Sequence, residues 1–339
     1  MKKATTITEI AAALNITPAT VSRALSDHPE IAAKTKKKVK EYASRIGYQP
    51  NKIASSLRSG KTKLIGVLIP TAEHVFFGSV IHGISNIASK NGYDVIIYQS
   101  NETQQLEKNG IEAFLNARVD GILASIAKGT TDFSHFKSVS ERNVPIAFFD
   151  RINDSLGISS ILINDYKGAY LATEALIHRG YQRIAHISGP LHIQTFAERV
   201  RGYQEALRKN GMAINDQYFF EGNISIESGR EGVGYFLDLP DAPDAIVAVE
   251  DFTALGAIKE LKERNIRVPE DFGIFGFSND LFGEHISPSL STVDQQAVIM
   301  GTKAFELIHQ LIGEESGSFG VVQIVLDPII IERDSSKKT

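Results

Sequence analysis

The 339 residues include 42% hydrophobic side chains, 36 Lys and Arg, 40 Asp and Glu, and no Cys, enough apolar content for about two large packed units plus a small one. The absence of Cys excludes disulfides, thiolate catalysis and Cys-based zinc sites, and no run of ~18 apolar residues or leader-like N-terminus predicts a membrane span or secretion, so a reducing cytoplasm is the expected compartment. Charge is unevenly placed: through Lys63, thirteen Lys and Arg face four Asp and Glu, a net of +9, while the rest carries −13, which predicts an arm for a polyanion joined to a body with another task.

In the arm, Thr6-Ile7-Thr8-Glu9 predicts a helix start, because hydroxyl and carboxylate satisfy each other's free backbone N–H groups. Ile10, Ala11 and Leu14 supply its buried stripe and Asn15 ends it. Thr17 caps a second helix with Pro18 at its first position, where the missing N–H costs nothing, and Val21, Ala24 and Leu25 face inward. A third helix, about residues 33–46, places Val39, Tyr42, Ala43 and Ile46 on one face and stops at Gly47. The first two helices read as a helix-turn-helix. Thr17, Pro18, Ala19, Thr20, Ser22 and Arg23 are left outward, a face of short side chains and one guanidinium that fits a major groove with Arg23 on a guanine edge. Lysines 34–40 supply phosphate contacts. The alternative is a generic solvated basic hairpin.

Residues 50–60 form the charge boundary. Asn51 caps and Gly60 ends a short helix with Ile53, Ala54 and Leu57 on one face, marginal alone in water; the alternative is a flexible tether.

Leu64-Ile65-Gly66-Val67-Leu68-Ile69-Pro70 then opens the body as a strand buried on both faces. Elements alternate: helix 77–91, strand 93–99, helix 103–116, strand 121–124, helix 133–142, strand 145–149. A second series starts near Ile161 with helix 166–179, strand 183–187, helix 195–209, a short strand around Tyr218, helix 226–237, strand 245–249, helix 252–264 and strand 272–277. Helix 296–312 and strand 321–331 cross back and make a hinge between lobes plausible, and Asp334-Ser335-Ser336-Lys337-Lys338-Thr339 reads as a frayed tail. Alternation means parallel sheets. The fold class is α/β: an all-α helix-turn-helix domain and hinge helix, then two doubly wound parallel-sheet lobes.

Ligands of such sheets bind beyond the carboxyl ends of strands, so two lobes enclose a cleft. Its candidates are Phe76, Phe77, Ser125, Asp150 and Arg151 from the first lobe, and Thr195, Arg199, Ile224, Glu250, Asp251 and Ser278 from the second. Carboxylates, guanidinium groups and rings converging on a cleft suit a polyhydroxylated or anionic small molecule. Plainer readings exist: Phe76 and Phe77 as core at a helix start, Asp165 and Asp251 as helix caps, Arg199 in a structural ion pair, and the histidines as structural or surface groups. Gly276-Phe277-Ser278-Asn279-Asp280 lacks the fifth-place Gly of a nucleophile elbow, and no Walker or dinucleotide loop is present.

The motifs Thr6-Ile7-Thr8-Glu9-Ile10-Ala11, Pro18-Ala19-Thr20-Val21-Ser22-Arg23-Ala24-Leu25, Gly47-Tyr48-Gln49-Pro50-Asn51 and Ala54-Ser55-Ser56-Leu57-Arg58-Ser59-Gly60, in that order and spacing, resemble the LacI/GalR (lactose-repressor) family of bacterial transcription regulators. Further segments, among them His178-Arg179-Gly180-Tyr181, Ser188-Gly189-Pro190 and Pro288-Ser289-Leu290-Ser291-Thr292-Val293, extend the resemblance to about Arg333. It implies a helix-turn-helix domain over 1–49, a hinge helix over 50–60 and a periplasmic-binding-protein-like core over 61–339, with lobe one about 61–160 plus 293–320 and lobe two about 161–292 plus 321–333. It adds Ile7, Ser26, Thr35, Tyr48, Asn51, Ala54 and Leu57 to the DNA-contacting set, Leu57 as a minor-groove wedge, and effector contact at Asp150, Arg199 and Glu250. Ser278 departs from it, since many relatives carry Asp there. The expected function is a ligand-responsive, sequence-specific repressor that binds double-stranded operator DNA as a homodimer. Its effector is a sugar, sugar acid or nucleobase-like molecule, and no cofactor, metal, catalytic residue or membrane is involved. Two alternatives stand beside it: an architectural DNA binder with a silent cleft, and a solute-binding or hydrolase body with a basic appendage.

Overall fold

The computed structural model describes residues 6–48, 61–313 and 320–338. The chain divides into two compact units, Met1–Thr62 and Lys63–Thr339.

The first unit contains α1 (Ile7–Leu14), α2 (Pro18–Leu25) and α3 (Ala33–Arg45). The expected capping box is formed: Thr6 N–H donates to Glu9 Oε2 at 3.2 Å and Glu9 N–H to Thr6 Oγ1 at 3.3 Å. Asn15 ends α1 at φ 54°, a left-handed conformation that Asn tolerates better than most residues. Thr17 Oγ1 accepts from Thr20 N–H at 3.1 Å, and Pro18 opens α2. Ile10, Ala11, Val21, Ala24, Val39 and Ala43 are buried together, with Leu14, Leu25, Tyr42 and Ile46 around them. Each large apolar side chain so buried contributes ~1.5–3 kcal/mol.

In the second unit, β1 (Leu64–Ile69), β2 (Asp94–Gln99), β3 (Gly121–Ala124), β4 (Ile146–Phe149), β5 (Ser160–Ile163) and β11 (Gln323–Leu326) form a sheet in the order β11-β5-β4-β3-β1-β2. Every pairing in it is parallel. Helices α4 (Val75–Lys90) and α11 (Ala297–Gly313) cover one face, where Ile65 and Val67 meet Val80, Ile84 and Phe305. Helices α5 (Gln104–Asn116) and α6 (Ser134–Glu141) cover the other, where Leu68 and Ile122 meet Ile111, Phe114 and Phe136. Helices α4 and α11 cross backbone to backbone: a Cβ on Gly83 would overlap the Val298 carbonyl oxygen, and one on Gly301 the Val80 carbonyl oxygen.

The second lobe has a parallel sheet in the order β7 (Phe219–Glu221), β6 (Ile184–Ser188), β8 (Ala245–Ala248), β9 (Gly273–Phe275). Helices α7 (Asp165–His178) and α8 (Gln194–Lys209) lie on one face, α9 (Ile226–Leu237) and α10 (Asp251–Glu263) on the other. A two-stranded antiparallel ladder, β10 (Thr292–Asp294) with β12 (Ile329–Ile331), sits beside the crossings.

Three expectations are corrected. The change of lobe comes after Ile163, not near Ile161, because β5 pairs with β4 and β11 in the first sheet. The segment expected as one strand over 321–331, and placed with lobe two, is two strands. Its first half, β11, completes the first sheet, and the break falls at Asp327-Pro328, where proline has no N–H for a ladder. The tail is not frayed through Ser336: Ser335 and Ser336 are fully buried, Ser335 Oγ donating to Ile274 O at 2.8 Å and Ser336 Oγ lying 2.7 Å from Ser291 Oγ. Small hydroxyls bury readily once partnered.

Candidate functional site

On the first unit, Thr17, Pro18, Ala19, Arg23 and Ser26 are exposed and Thr20 and Ser22 half-buried along the outer side of α2. The Thr17 hydroxyl also lies 2.9 Å from Thr20 Oγ1, and Ser26 Oγ donates to Ser22 O at 3.1 Å, so both are engaged in holding the helix ends. Arg23 projects with its side chain 57% exposed and Glu30 3.5 Å away. Exposed pairs of this kind contribute little and exchange readily for a better acceptor. The lysine run is split in role. Lys36 Nζ donates to Asp27 O at 2.8 Å and Lys40 Nζ to Asp27 Oδ2 at 2.5 Å, and the Lys40 bond holds the Asp27 carboxyl below its usual range; Lys34 and Lys38 are exposed. Ile7, Thr35 and Tyr48 are half-buried, Ile7 and Tyr48 against the three-helix core. Asn51, Ala54 and Leu57, with the hinge helix expected over 50–60, lie outside the described residues.

In the second unit candidate residues of both lobes meet around Asp150, Arg151 and Thr195, whereas Asp251 and Ser278 bond toward the crossing segment. Phe76 and Phe77 occupy the first turn of α4, edge to face at 5.2 Å and buried in the first-lobe core. Ser125, after β3, is buried with its hydroxyl 3.5 Å from Asp150 Oδ2. Asp150 leaves β4 at φ 61°. Burial pushes its carboxyl up, against the pull of Arg151 and Arg199.

Arg151 is held inside. Its Nη1 lies 2.9 Å from both oxygens of Glu102, its Nε 3.8 Å from Asp150 Oδ2, and its guanidinium 5.7 and 5.5 Å from the rings of Phe77 and Phe196, one from each lobe. Arg199 is likewise committed: Nε and Nη2 both meet Asp165 Oδ1 at 2.8 Å, Nη1 donates to Val249 O at 2.5 Å, and the group lies 3.6 Å from the Phe277 ring centroid. Burial raises the Asp165 carboxyl to about 7 although Arg199 draws it down. The structure therefore gives Arg199 a buried ion pair, and Asp165 is that partner rather than a cap; Asn164 caps α7.

Glu250 is the N-cap of α10, its oxygens accepting from Phe252 N–H at 2.9 Å and Thr253 N–H at 2.7 Å. Asp251, the first residue of that helix, is not the cap. Its Oδ2 accepts from Asp280 N–H at 2.7 Å and Oδ1 from the Thr292 hydroxyl at 2.6 Å, and burial raises it to about 8. Asp280 is raised to about 7, again by burial first. Ile224, at φ 54°, packs with Ile193, Phe196 and Val249. Ser278, at φ 126°, donates its N–H to Val293 O at 2.8 Å, beside the crossing.

Among the described residues, side-chain hydrogen bonds join the lobes. Thr195 Oγ1 donates to Asp150 O at 3.2 Å, Gln194 Nε2 to Asp154 Oδ2 at 2.7 Å, Lys128 Nζ to Asn223 Oδ1 at 2.6 Å, and His192 Nε2 to Lys128 O at 2.5 Å. Burial depresses the Lys128 amine. A cavity of about 200 Å³ opens along this seam between Ile152, Leu162 and Val325 of one lobe and Asp165, Thr195 and Glu198 of the other. Of the effector candidates, only Thr195 lines it. Glu102, Lys128, Asp154, His192, Gln194 and Asn223 were not among the sequence candidates. Glu102 and Lys128 follow β2 and β3, so the strand-end rule that selected Asp150 also reaches them.

Residues 62–331 match a family described as periplasmic binding proteins and sugar binding domain of LacI family, and residues 6–51 match bacterial regulatory proteins, lacI family. The chain is 32% identical over 320 residues to catabolite control protein A of Priestia megaterium, covering 94% of this chain and 96% of that protein. It is 29% identical to the HTH-type transcriptional repressor PurR of Vibrio atlanticus, covering 98% of each. Among solved structures it is similar to the Lac repressor dimer bound to operator and the anti-inducer ONPF, with a TM-score of 0.87 at 25% identity over 98% of this chain and 99% of that one.

Proposed function

The chain belongs to the LacI family of bacterial regulatory proteins, and from that premise we propose that it is a repressor whose operator affinity is set by a small polar effector held between the lobes. It binds DNA as a sequence-specific transcription regulator. The single observation that supports the DNA-reading role of α2 is its outer face, short side chains with Arg23 projecting beyond them, a relief that admits a base edge to one guanidinium. Lys34 and Lys38 supply phosphate contacts. Two copies read a near-palindromic operator, because pairing two small reading surfaces across a two-fold multiplies their discrimination.

The effector, a sugar, sugar acid or nucleobase-like molecule in the wider reading, binds among Phe76, Phe77, Ser125, Asp150, Arg151, Thr195, Arg199, Ile224, Glu250, Asp251 and Ser278. It acts by favouring one angle between lobes that the seam hydrogen bonds already hold in one arrangement. A ligand shifts that equilibrium only by its difference in affinity for the two angles. The cytoplasm is the place of action, and no enzymatic step is assigned.

The test is enrichment of genomic fragments by the full chain in stepped salt. Fragments that share a near-palindrome, with affinity falling steeply as salt rises, support the reading; no retained fragment at low salt refutes it.

A further inference from the structure

Four acidic side chains stand among the thirteen Lys and Arg of residues 1–63, and three of them are engaged within the arm's own helices and turns. Glu9 closes the capping box of α1, Asp27 is clamped by Lys36 and Lys40, and Glu41 lies 3.9 Å from Lys37 on α3. Glu30 is placed differently. Its Oε2 lies 3.5 Å from Arg23 Nη1, the guanidinium of the reading face, and its side chain is 68% exposed. The loop that carries it is tied down on both sides. Asp27 takes a left-handed backbone at φ 57°, His28 N–H donates to Arg23 O at 2.9 Å, Lys36 Nζ donates to Asp27 O at 2.8 Å, and Ile31 packs against the three-helix core. His28 Nδ1, 3.7 Å from Glu30 Oε2, accepts the Glu30 N–H at 3.4 Å and so donates nothing to that carboxylate. The fold of the arm thus sets one anion directly beside the cation expected to read a base.

A carboxylate in that position acts oppositely on two kinds of complex. A guanidinium carries five N–H donors in a fixed fork, and a guanine edge takes two of them, which leaves a donor for Glu30. The pair therefore survives when Arg23 reads a base. A phosphate offered to the same guanidinium meets a second anion instead, and that repulsion acts at every sequence. Discrimination arises from repelling the wrong complex as well as from attracting the right one. Resting on the reading of α2 as the helix that meets the bases, we infer that Glu30 is a specificity-determining residue of this regulator: it holds the Arg23 guanidinium toward the base edge and weakens binding to DNA that lacks the operator sequence.

The experiment uses the full chain and two fluorescent duplexes of equal length, an enriched genomic fragment and a shuffled version of it, with anisotropy read across a salt series. Glu30→Gln keeps the shape and removes the charge, and the exposed position of the side chain leaves the three-helix core as it is. The variant should bind the shuffled duplex about threefold tighter per copy, the Coulomb effect of one unit charge about 6 Å from a phosphate in water, and with a steeper dependence on salt. Affinity for the enriched fragment should change less, so the ratio of the two affinities falls. Preference at the base read by Arg23 should relax in Glu30→Gln, and in an Arg23→Ala background the same change should relax it no further. An unchanged ratio of affinities overturns the inference, as does a base preference that Glu30→Gln leaves intact or still alters without Arg23. Failure of the regulator reading looks different: the wild type then retains no genomic fragment at low salt, whereas a wild type that discriminates beside a variant that discriminates equally overturns the role of Glu30 alone.

Discussion

Replacing Arg199 with Met distinguishes a structural arginine from an effector anchor. The substitution leaves the Asp165 carboxylate, 7% exposed, without its cation, and removes the donor to Val249 O and the group stacked on Phe277. Breaking a buried pair on one side costs ~3–5 kcal/mol. Asp165 can escape by taking a proton, which its burial already favours. Asp165 is held at about 7 even beside Arg199 and rises further without it, so the ~3–5 kcal/mol applies near pH 9, where the wild-type carboxyl is ionised, and shrinks by ~1.4 kcal/mol per unit down to pH 7, below which both proteins carry it protonated. Urea unfolding of wild type and Arg199→Met at the two pH values measures this directly. Asp165→Asn combined with Arg199→Met should cost less than the two single changes added, because the pair acts as a unit. A loss under ~1 kcal/mol at both pH 9 and pH 7, or a larger loss at pH 7 than at pH 9, would refute the ion-pair account.

Arg23→Ala should weaken operator binding by ~1–3 kcal/mol and relax preference at one base position per half-site, read by binding to a randomised operator library; an unchanged preference removes Arg23 from the reading face. Gly83→Ala should destabilise the second unit by ~1–3 kcal/mol, since its Cβ overlaps the backbone oxygen of Val298, while Gly78→Ala in the same helix, with open space around its Cβ, should stabilise by ~0.5–1 kcal/mol. Equal midpoints for the two variants in urea would contradict the crossing of α4 and α11. Stability should also fall as pH rises from about 6.5 to about 8. Asp165, Asp280 and Asp251, raised from 3.8 to about 7, about 7 and about 8, keep protons in the fold that the unfolded chain has lost. His186, held near 3 by burial, works in the opposite sense only below its ordinary 6.5. A melting temperature that rises across that window counts against these shifts.

Local chemistry made much of the fold legible. The Thr6 and Glu9 pair, Asn15, and Thr17 with Pro18 fixed the first two helices because caps are written in adjacent residues. The strand over 121–124 and the helix over 226–237 fall where apolar runs and turns place them. Sheet membership was not legible, because β5 and β11 are short apolar runs whose pairing partners lie far along the chain. Buried Ser335 and Ser336 were missed because two serines before two lysines look solvated until Ser291 and the Ile274 carbonyl are brought to them. At the cleft, strand ends pointed to Asp150 and Arg151, but residue type alone could not say that Arg151 is bound by Glu102, or that Glu250 turns back to cap its own helix.

The central claim is that occupancy of the cleft is read as operator affinity. Its most direct test is fluorescence anisotropy of an enriched operator fragment at fixed salt, with and without a polyol that raises the melting temperature of the full chain. The account predicts at least a fivefold change in Kd, about 1 kcal/mol of coupling. An operator Kd that is identical in the presence of a saturating, stabilising ligand would contradict it.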